Sequence, residues 1–137
     1  MKIGTGVVIN LGAKVKYVWR LNIGEHAWID NLTKKTIGTN SCVSQRAYLC
    51  TGSHDWSDRA LGHVTRPMMM ERECWVGAKA CLAPGTFMEK GAVLAMGVVG
   101  RGRLEGWQVN MGAAIPSKAR IIRMPRFDEQ LTAGSKA

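Results

Sequence analysis

The sequence predicts an all-β solenoid, a parallel sheet of short strands coiled on itself, and three observations predict it. From Met70 to Val99 the chain repeats on a six-residue beat, and a bulky aliphatic opens each unit: Met70, Val76, Leu82, Met88 and Leu94. The fifth place of each unit is small or β-branched: Cys74, Ala80, Thr86, Ala92 and Val98. Glycine recurs at Gly77, Gly85, Gly91 and Gly97, where turns need positive φ or close packing. A helix would space its apolar residues by three and four, and a half-buried strand would alternate by two. A period of six fits neither template. It fits a coil in which each hexad supplies one short strand and a turn, so that successive turns stack the opening aliphatics into one core.

The elements follow in order. The beat is present at Ile3, Ile9, Val15 and Leu21, then resets at Ile23-Gly24-Glu25-His26-Ala27-Trp28 and Ile29-Asp30-Asn31-Leu32. After an irregular Thr33-Lys34-Lys35 it resumes at Ile37, Val43 and Leu49, with Ser41 and Ala47 at the fifth place. Trp28 and Tyr48 end their hexads and are expected to be packing residues. From Asp55 to Pro67 the sequence is polar and aperiodic, so residues 55–69 are expected to leave the coil as a loop. Loops held on a rigid scaffold tend to carry function. Met70 restarts the beat, and Gly100-Arg101-Gly102-Arg103 marks its exit. The solenoid is expected over 1–112, followed by a basic arm over 113–137 that contains Lys118, Arg120, Arg123 and Arg126 and a short helix or extended segment. No polar cap covers the first turn, so a partner or loop is expected to cover it.

Composition narrows the function. The 137 residues are 46% hydrophobic with 16 glycines, which excludes a disordered chain. The net charge of +9 is spread over single residues, without a helix-turn-helix, zinc-finger or aromatic-platform motif. It therefore argues against a nucleic-acid partner and suits an enzyme whose substrate carries phosphates. Cys42, Cys50, Cys74 and Cys81 form no Cys-x-x-Cys pair and are expected to be buried free thiols of a reducing cytoplasm. Met1-Lys2-Ile3-Gly4 runs straight into the beat without a signal segment, and no apolar run approaches the ~18 residues of a membrane span. A cytoplasmic protein without membrane insertion is expected.

Three histidines are candidates for chemistry. His54 ends a regular unit where the loop departs, so a rigid strand would hold it beside a cleft. Histidine as a residue type exchanges a proton near neutral pH, as a general base that activates a hydroxyl or amine must. Asp55 or Asp58 is expected to orient it. His26 lies inside a regular unit and is expected at the surface, while the role of His63 is open. The γ-class carbonic anhydrases build three-histidine metal sites on such a coil, with two ligands close together in sequence. Here His54 and His63 are nine apart and His26 is isolated, so no metal site is expected. No serine or cysteine nucleophile signature is present.

The hexads, together with Ile29-Asp30-Asn31-Leu32, the run Thr51-Gly52-Ser53-His54-Asp55-Trp56-Ser57-Asp58 and Trp75-Val76-Gly77-Ala78-Lys79, resemble the hexapeptide-repeat acyltransferases. Within them the chain is most similar to the colanic acid biosynthesis acetyltransferases, relatives of the serine, maltose and galactoside acetyltransferases. The resemblance implies a left-handed parallel β-helix, triangular in section and packed as a homotrimer. It implies acetyl-CoA as donor and an active site between subunits. His54 falls on the catalytic histidine, which deprotonates an acceptor hydroxyl for direct attack on the thioester without an acyl-enzyme. Asn31 and Asp30 fall near the acceptor-binding position. Trp75, Ala78 and Met96 fall on positions that line the pantetheine arm. Arg101, Lys118 and Arg123 fall near those that meet the phosphates. Trp56 is expected, with Asp55, to wall the acceptor, since aromatic faces stack on sugar rings.

Departures from the family pattern set further expectations. Relatives read a further hexad between Trp28 and Ile29, so the early turns of this chain are expected to be irregular or re-phased. The family's Gly-Ala-Gly turn reads Ala95-Met96-Gly97 here, and Met96 is expected to crowd the cofactor channel. The exit after Val99 differs from the usual one. The implied activity is O-acetylation of a saccharide or similar small acceptor. A xenobiotic acetyltransferase of the chloramphenicol-modifying kind and a non-catalytic trimeric scaffold are the alternatives.

Overall fold

The computed structural model describes residues 2–4, 8–9, 20–30, 32–112 and 118–120. The coil is a left-handed parallel β-helix with three faces. Turn one carries β1 (Lys2–Ile3) and β2 (Val8–Ile9). Turn two carries β3 (Asn22–Ile23), β4 (Trp28–Ile29) and β5 (Lys35–Ile37). Turn three carries β6 (Cys42–Val43) and β7 (Tyr48–Leu49), then leaves the coil as β8 (Gly52–His54) and β9 (His63–Thr65) and returns with β10 (Met68–Met70). Turn four carries β11 (Trp75–Val76), β12 (Cys81–Leu82) and β13 (Phe87–Met88). Turn five carries β14 (Val93–Leu94), β15 (Val99–Gly100) and β16 (Arg103–Leu104). After β17 (Gln108–Asn110), the chain returns with β18 (Lys118–Ala119), antiparallel to β17.

Register explains the six-residue beat. Ile23, Val43, Val76 and Leu94 are stacked Cα to Cα on the first face. Ile29, Leu49 and Leu82 are stacked on the second, and Ile37, Met70, Met88 and Leu104 on the third. All of these opening residues are buried. Removing each such side chain from water contributes about 1.5–3 kcal/mol, so the columns are the source of the coil's stability. The fifth-place residues Ala27, Ser41, Ala47, Cys74, Ala80, Thr86 and Ala92 are equally buried at the corners, where small groups recur. On turn five Gly100 takes an opening place, and the δ-carbons of Leu94 and Leu104 fill the space beside it.

The corner glycines divide into two kinds. The fourth place of the hexad is left-handed: Gly85, Gly91 and Gly97 have φ of 80°, 77° and 71°, and His26, Asn40 and Lys79 adopt 56°, 62° and 57° there. Gly77 is different. A Cβ on it would lie 2.6 Å from the Met96 nitrogen and 2.8 Å from the Leu94 oxygen, so it is required by the closeness of the next turn.

Several expectations change. No face is missing from turn two: Trp28 and Ile29 are consecutive in β4, and the turn has strands on all three faces. Its irregularity is a corner two residues longer, since Ile37 follows Ile29 by eight. Leu21 is a fifth-place residue two before Ile23, buried at a corner rather than opening a unit. Val15 lies outside the described residues. Trp28 and Tyr48 do not pack in the core, because they precede inward residues on their strands and therefore point outward; they are 47% and 38% exposed. All four cysteines are free, yet only Cys74 is fully buried; Cys42 and Cys81 also precede inward residues. Lys35 is the opposite surprise. It takes the fifth place of turn two, aligned with Met68, and is 2% exposed with no hydrogen-bond partner for Nζ among the described residues.

Candidate active site

The excursion from turn three is an antiparallel hairpin. Arg66 N donates to the Thr51 carbonyl at 3.0 Å, and Asp55 N to the Gly62 carbonyl at 2.8 Å. His54 and His63 are directly opposed one step inside the second of these bonds. They form a non-hydrogen-bonded pair, the kind whose side chains approach most closely. The imidazole centroids are 5.2 Å apart with planes inclined by 37°. His54 Nδ1 lies 2.7 Å from the Leu61 carbonyl oxygen. A carbonyl only accepts, so Nδ1 carries the proton and Nε2 keeps its lone pair. The ring is thus set in the tautomer a base requires, and its free nitrogen faces away from the bond that orients it.

The loop is built to present that carbonyl. Leu61 takes a left-handed φ of 50°, and its nitrogen donates to the Asp58 carbonyl at 2.9 Å. The Asp58 carboxylate accepts from Ala60 N at 3.0 Å and Gly62 N at 3.2 Å. The Asp55 carboxylate accepts from the Ser57 hydroxyl and from Ser57 N at 2.9 Å. Hydrogen bonds from the Ser57 hydroxyl and nitrogen hold the Asp55 carboxyl below its usual range. Both carboxylates therefore shape the loop, and a backbone carbonyl, not Asp55 or Asp58, orients His54. Sequence reasoning could not find this partner, because every residue carries a carbonyl.

The expected acceptor residues are dispersed around the hairpin. Trp56 stands at its tip, 89% exposed. Asp30 is buried at the same corner of turn two, and the Tyr48 hydroxyl donates to its Oδ2 at 3.5 Å. Hydrogen bonding to the Cys50 thiol and burial push the Tyr48 hydroxyl well above its usual pKa, which keeps it a donor. Asn31 lies outside the described residues.

Three of the expected cofactor residues converge elsewhere. Trp75, Ala78 and Met96 line one groove of about 670 Å³ along the first face and the corner after it, with Ser44, Gln45 and Ala95. Trp75 Nε1 donates to Ser44 Oγ at 2.7 Å, which pins the indole across two turns. Met96 is 74% exposed and stands at the rim, so it walls the groove rather than plugging it. The groove's lining is largely apolar. Arg101 is exposed and lies off the groove, the Lys118 side chain is not described, and Arg123 lies outside the described residues. Arg120 lines the groove, but its Nη1 donates to the Gly91 carbonyl at 2.7 Å and to that of Glu73, and its guanidinium lies 5.5 Å from the Trp107 ring centre. Arg120 is a strap across three corners. Among the described residues no three His, Cys, Asp or Glu side chains form a metal cluster. The hairpin leaves the corner between the second and third faces, whereas the groove follows the first face. One chain does not bring His54 and the groove together.

No family model matches the chain. It is 36% identical over 99 residues to WcaF of Escherichia coli (strain K12), named as a colanic acid biosynthesis acetyltransferase. That match covers 68% of this chain and 54% of WcaF, so the chain spans about half the length of this relative. Among solved structures, a maltose O-acetyltransferase from Clostridium difficile 630 superposes with a TM-score of 0.60 at 17% identity, over 91% of this chain and 70% of that one. A mutant of AntD, an N-acyltransferase from Bacillus cereus in complex with dTDP-4-amino-4,6-dideoxyglucose and coenzyme A, superposes with a TM-score of 0.62 at 12% identity, over 98% and 90%. At such identities these structures establish the fold.

Proposed function

The chain belongs to the hexapeptide-repeat acyltransferase superfamily, and from that premise we propose that it is an acetyl-CoA-dependent O-acetyltransferase acting on a hydroxyl of a saccharide or similar small acceptor. The observation that carries the reading is the His54 Nδ1 bond to the Leu61 carbonyl, which leaves Nε2 as a lone-pair base on an exposed hairpin. When bound, acetyl-CoA supplies a thioester whose carbonyl carbon is the electrophile. His54 Nε2 takes the acceptor's hydroxyl proton as its oxygen attacks, and the imidazolium returns that proton to the departing sulfur. No acyl-enzyme forms. The Leu61 carbonyl steadies the imidazolium by holding Nδ1–H throughout. Trp75, Ala78 and Met96 hold the pantetheine arm, and Arg101, Lys118 and Arg123 serve its phosphates. Asn31, Asp30, Asp55 and Trp56 serve the acceptor side. Much of the rate gain comes from orientation of the two reactants.

The base and the groove lie at different corners of the chain, which supports a site assembled between subunits of a homotrimer. The second face supports it as well. Trp28, Tyr48, Cys81 and Val99 form an outward column in register, and three of them are large exposed hydrophobics. Such a patch favours cover by a partner. A monomeric mass in solution would count against this assembly. Among the described residues no helix is long and apolar enough to cross a membrane.

Calorimetry with acetyl-CoA on the wild type and on His54→Ala tests the whole reading. Both proteins are expected to bind with similar affinity, while His54→Ala loses turnover by about 10²–10⁴-fold, the usual contribution of a general base. Absence of binding at millimolar acetyl-CoA would leave a non-catalytic scaffold as the better description.

A further inference from the structure

The lengthened corner of turn two lies beneath the hairpin. A Cβ on Gly52 would lie 2.2 Å from Leu32 Cδ1 and 3.3 Å from His63 Nε2, so these two side chains occupy the space over Gly52. Gly52 and His54 are two apart on β8 and share one face of the ribbon, and His63 is directly opposite His54. Leu32 from the coil and His63 from β9 therefore form one layer, and the His54 ring closes it at 5.2 Å from the His63 ring. His54 itself is exposed, and the 2.7 Å bond to Leu61 holds only one edge of its imidazole. A side chain tethered at one edge in water still turns unless something bounds its face.

The geometry points to His63 as a positioning residue for His54: its ring, seated over Gly52 beside Leu32, bounds the His54 imidazole and keeps Nδ1 on the Leu61 carbonyl. His63 touches no reacting atom in this role. The inference rests on the reading of His54 as the base, but it concerns a ring orientation that exists with or without turnover. It also requires an aromatic ring at position 63 rather than a titrating one.

The test is the nitrogen spectrum of the His54 imidazole in the full chain labelled with ¹⁵N, at about pH 8 where a free imidazole is neutral. In the wild type Nδ1 is expected to give a protonated-type signal and Nε2 an unprotonated one. His63→Ala should move both toward the averaged positions of a freely exchanging imidazole, and His63→Phe should restore the wild-type pattern. In parallel, His63→Ala should lower kcat by about tenfold or more with KM for acetyl-CoA changed by less than about twofold, and His63→Phe should recover most of the loss, as expected when only orientation is disturbed. Unchanged His54 signals in His63→Ala would overturn the proposal, as would a folded His63→Phe protein that fails to restore them. If the signals respond as expected but the wild type acetylates no acceptor, the positioning role stands and the transferase reading falls.

Discussion

Lys35→Met is expected to stabilise the protein, although it removes a charge from a basic surface-rich chain. Lys35 occupies a buried corner place, is 2% exposed, and among the described residues has no hydrogen-bond partner for its ammonium. Burial lowers its pKa, and the charges of Asp30 and Cys50 oppose that shift only in part. A buried donor left unsatisfied costs about 1–3 kcal/mol, more when charged. Methionine is unbranched like lysine and ends where the ammonium begins, and Met68 already sits beside it in register. Asp30 keeps the Tyr48 hydroxyl as a donor. Lys35→Met should therefore gain about 1–3 kcal/mol at neutral pH, or roughly 3–10 °C in melting temperature for a chain this size. The pH dependence has a definite sign. The folded state binds this proton less tightly than the unfolded state, so wild-type stability rises as pH climbs from the lowered folded pKa toward 10.5. The variant lacks that rise, and its advantage should shrink across the same window. Thermal melts of both proteins from neutral pH to about pH 10.5 check this. A destabilised variant, or an advantage that stays flat with pH, would refute the reasoning.

The two kinds of glycine should part company in chemical denaturation. Gly97→Ala, with open space but a φ of 71°, should cost about 1–2 kcal/mol, whereas Gly77→Ala drives a Cβ into the backbone of Met96 and should cost about 3 kcal/mol or more. Arg120→Ala frees the carbonyls of Glu73 and Gly91 and should cost about 1–3 kcal/mol, measured as a lower denaturation midpoint.

The coil was legible in the sequence because burial repeats. Met70, Val76, Leu82, Met88 and Leu94 face inward once per hexad, and a period set by sterics leaves the same trace in every unit. The trace fails where one unit carries an exception. Lys35 looks like part of a polar interruption, yet it is the buried corner residue of a complete turn. Trp28 and Tyr48 look like core by size, but position within the hexad decides direction, and theirs is outward. His54 could be singled out because it ends a regular unit at a break. Its partner could not, since the Leu61 carbonyl reaches Nδ1 only through a left-handed turn tied by Asp55 and Asp58. Arg120 was one of several cations in an aperiodic tail, and only the pairing of β18 with β17 fixes which of them meets the corners.

The coil and the hairpin answer to different perturbations. Each turn contacts only its neighbours, so the loss of an opening residue such as Leu82 acts on stability locally and along the stack. A two-stranded ribbon has little stability of its own. The hairpin that presents His54 must therefore borrow its order, from the Asx-type bonds of Asp55 and Asp58 at its tip and from Leu32 against Gly52 at its base. The corner that supplies Leu32 is the one longer than the repeat requires. Shortening it to six residues would make turn two more regular while removing the support under His54. Regularity of the coil and placement of His54 thus compete at this corner, and this chain carries the irregular form.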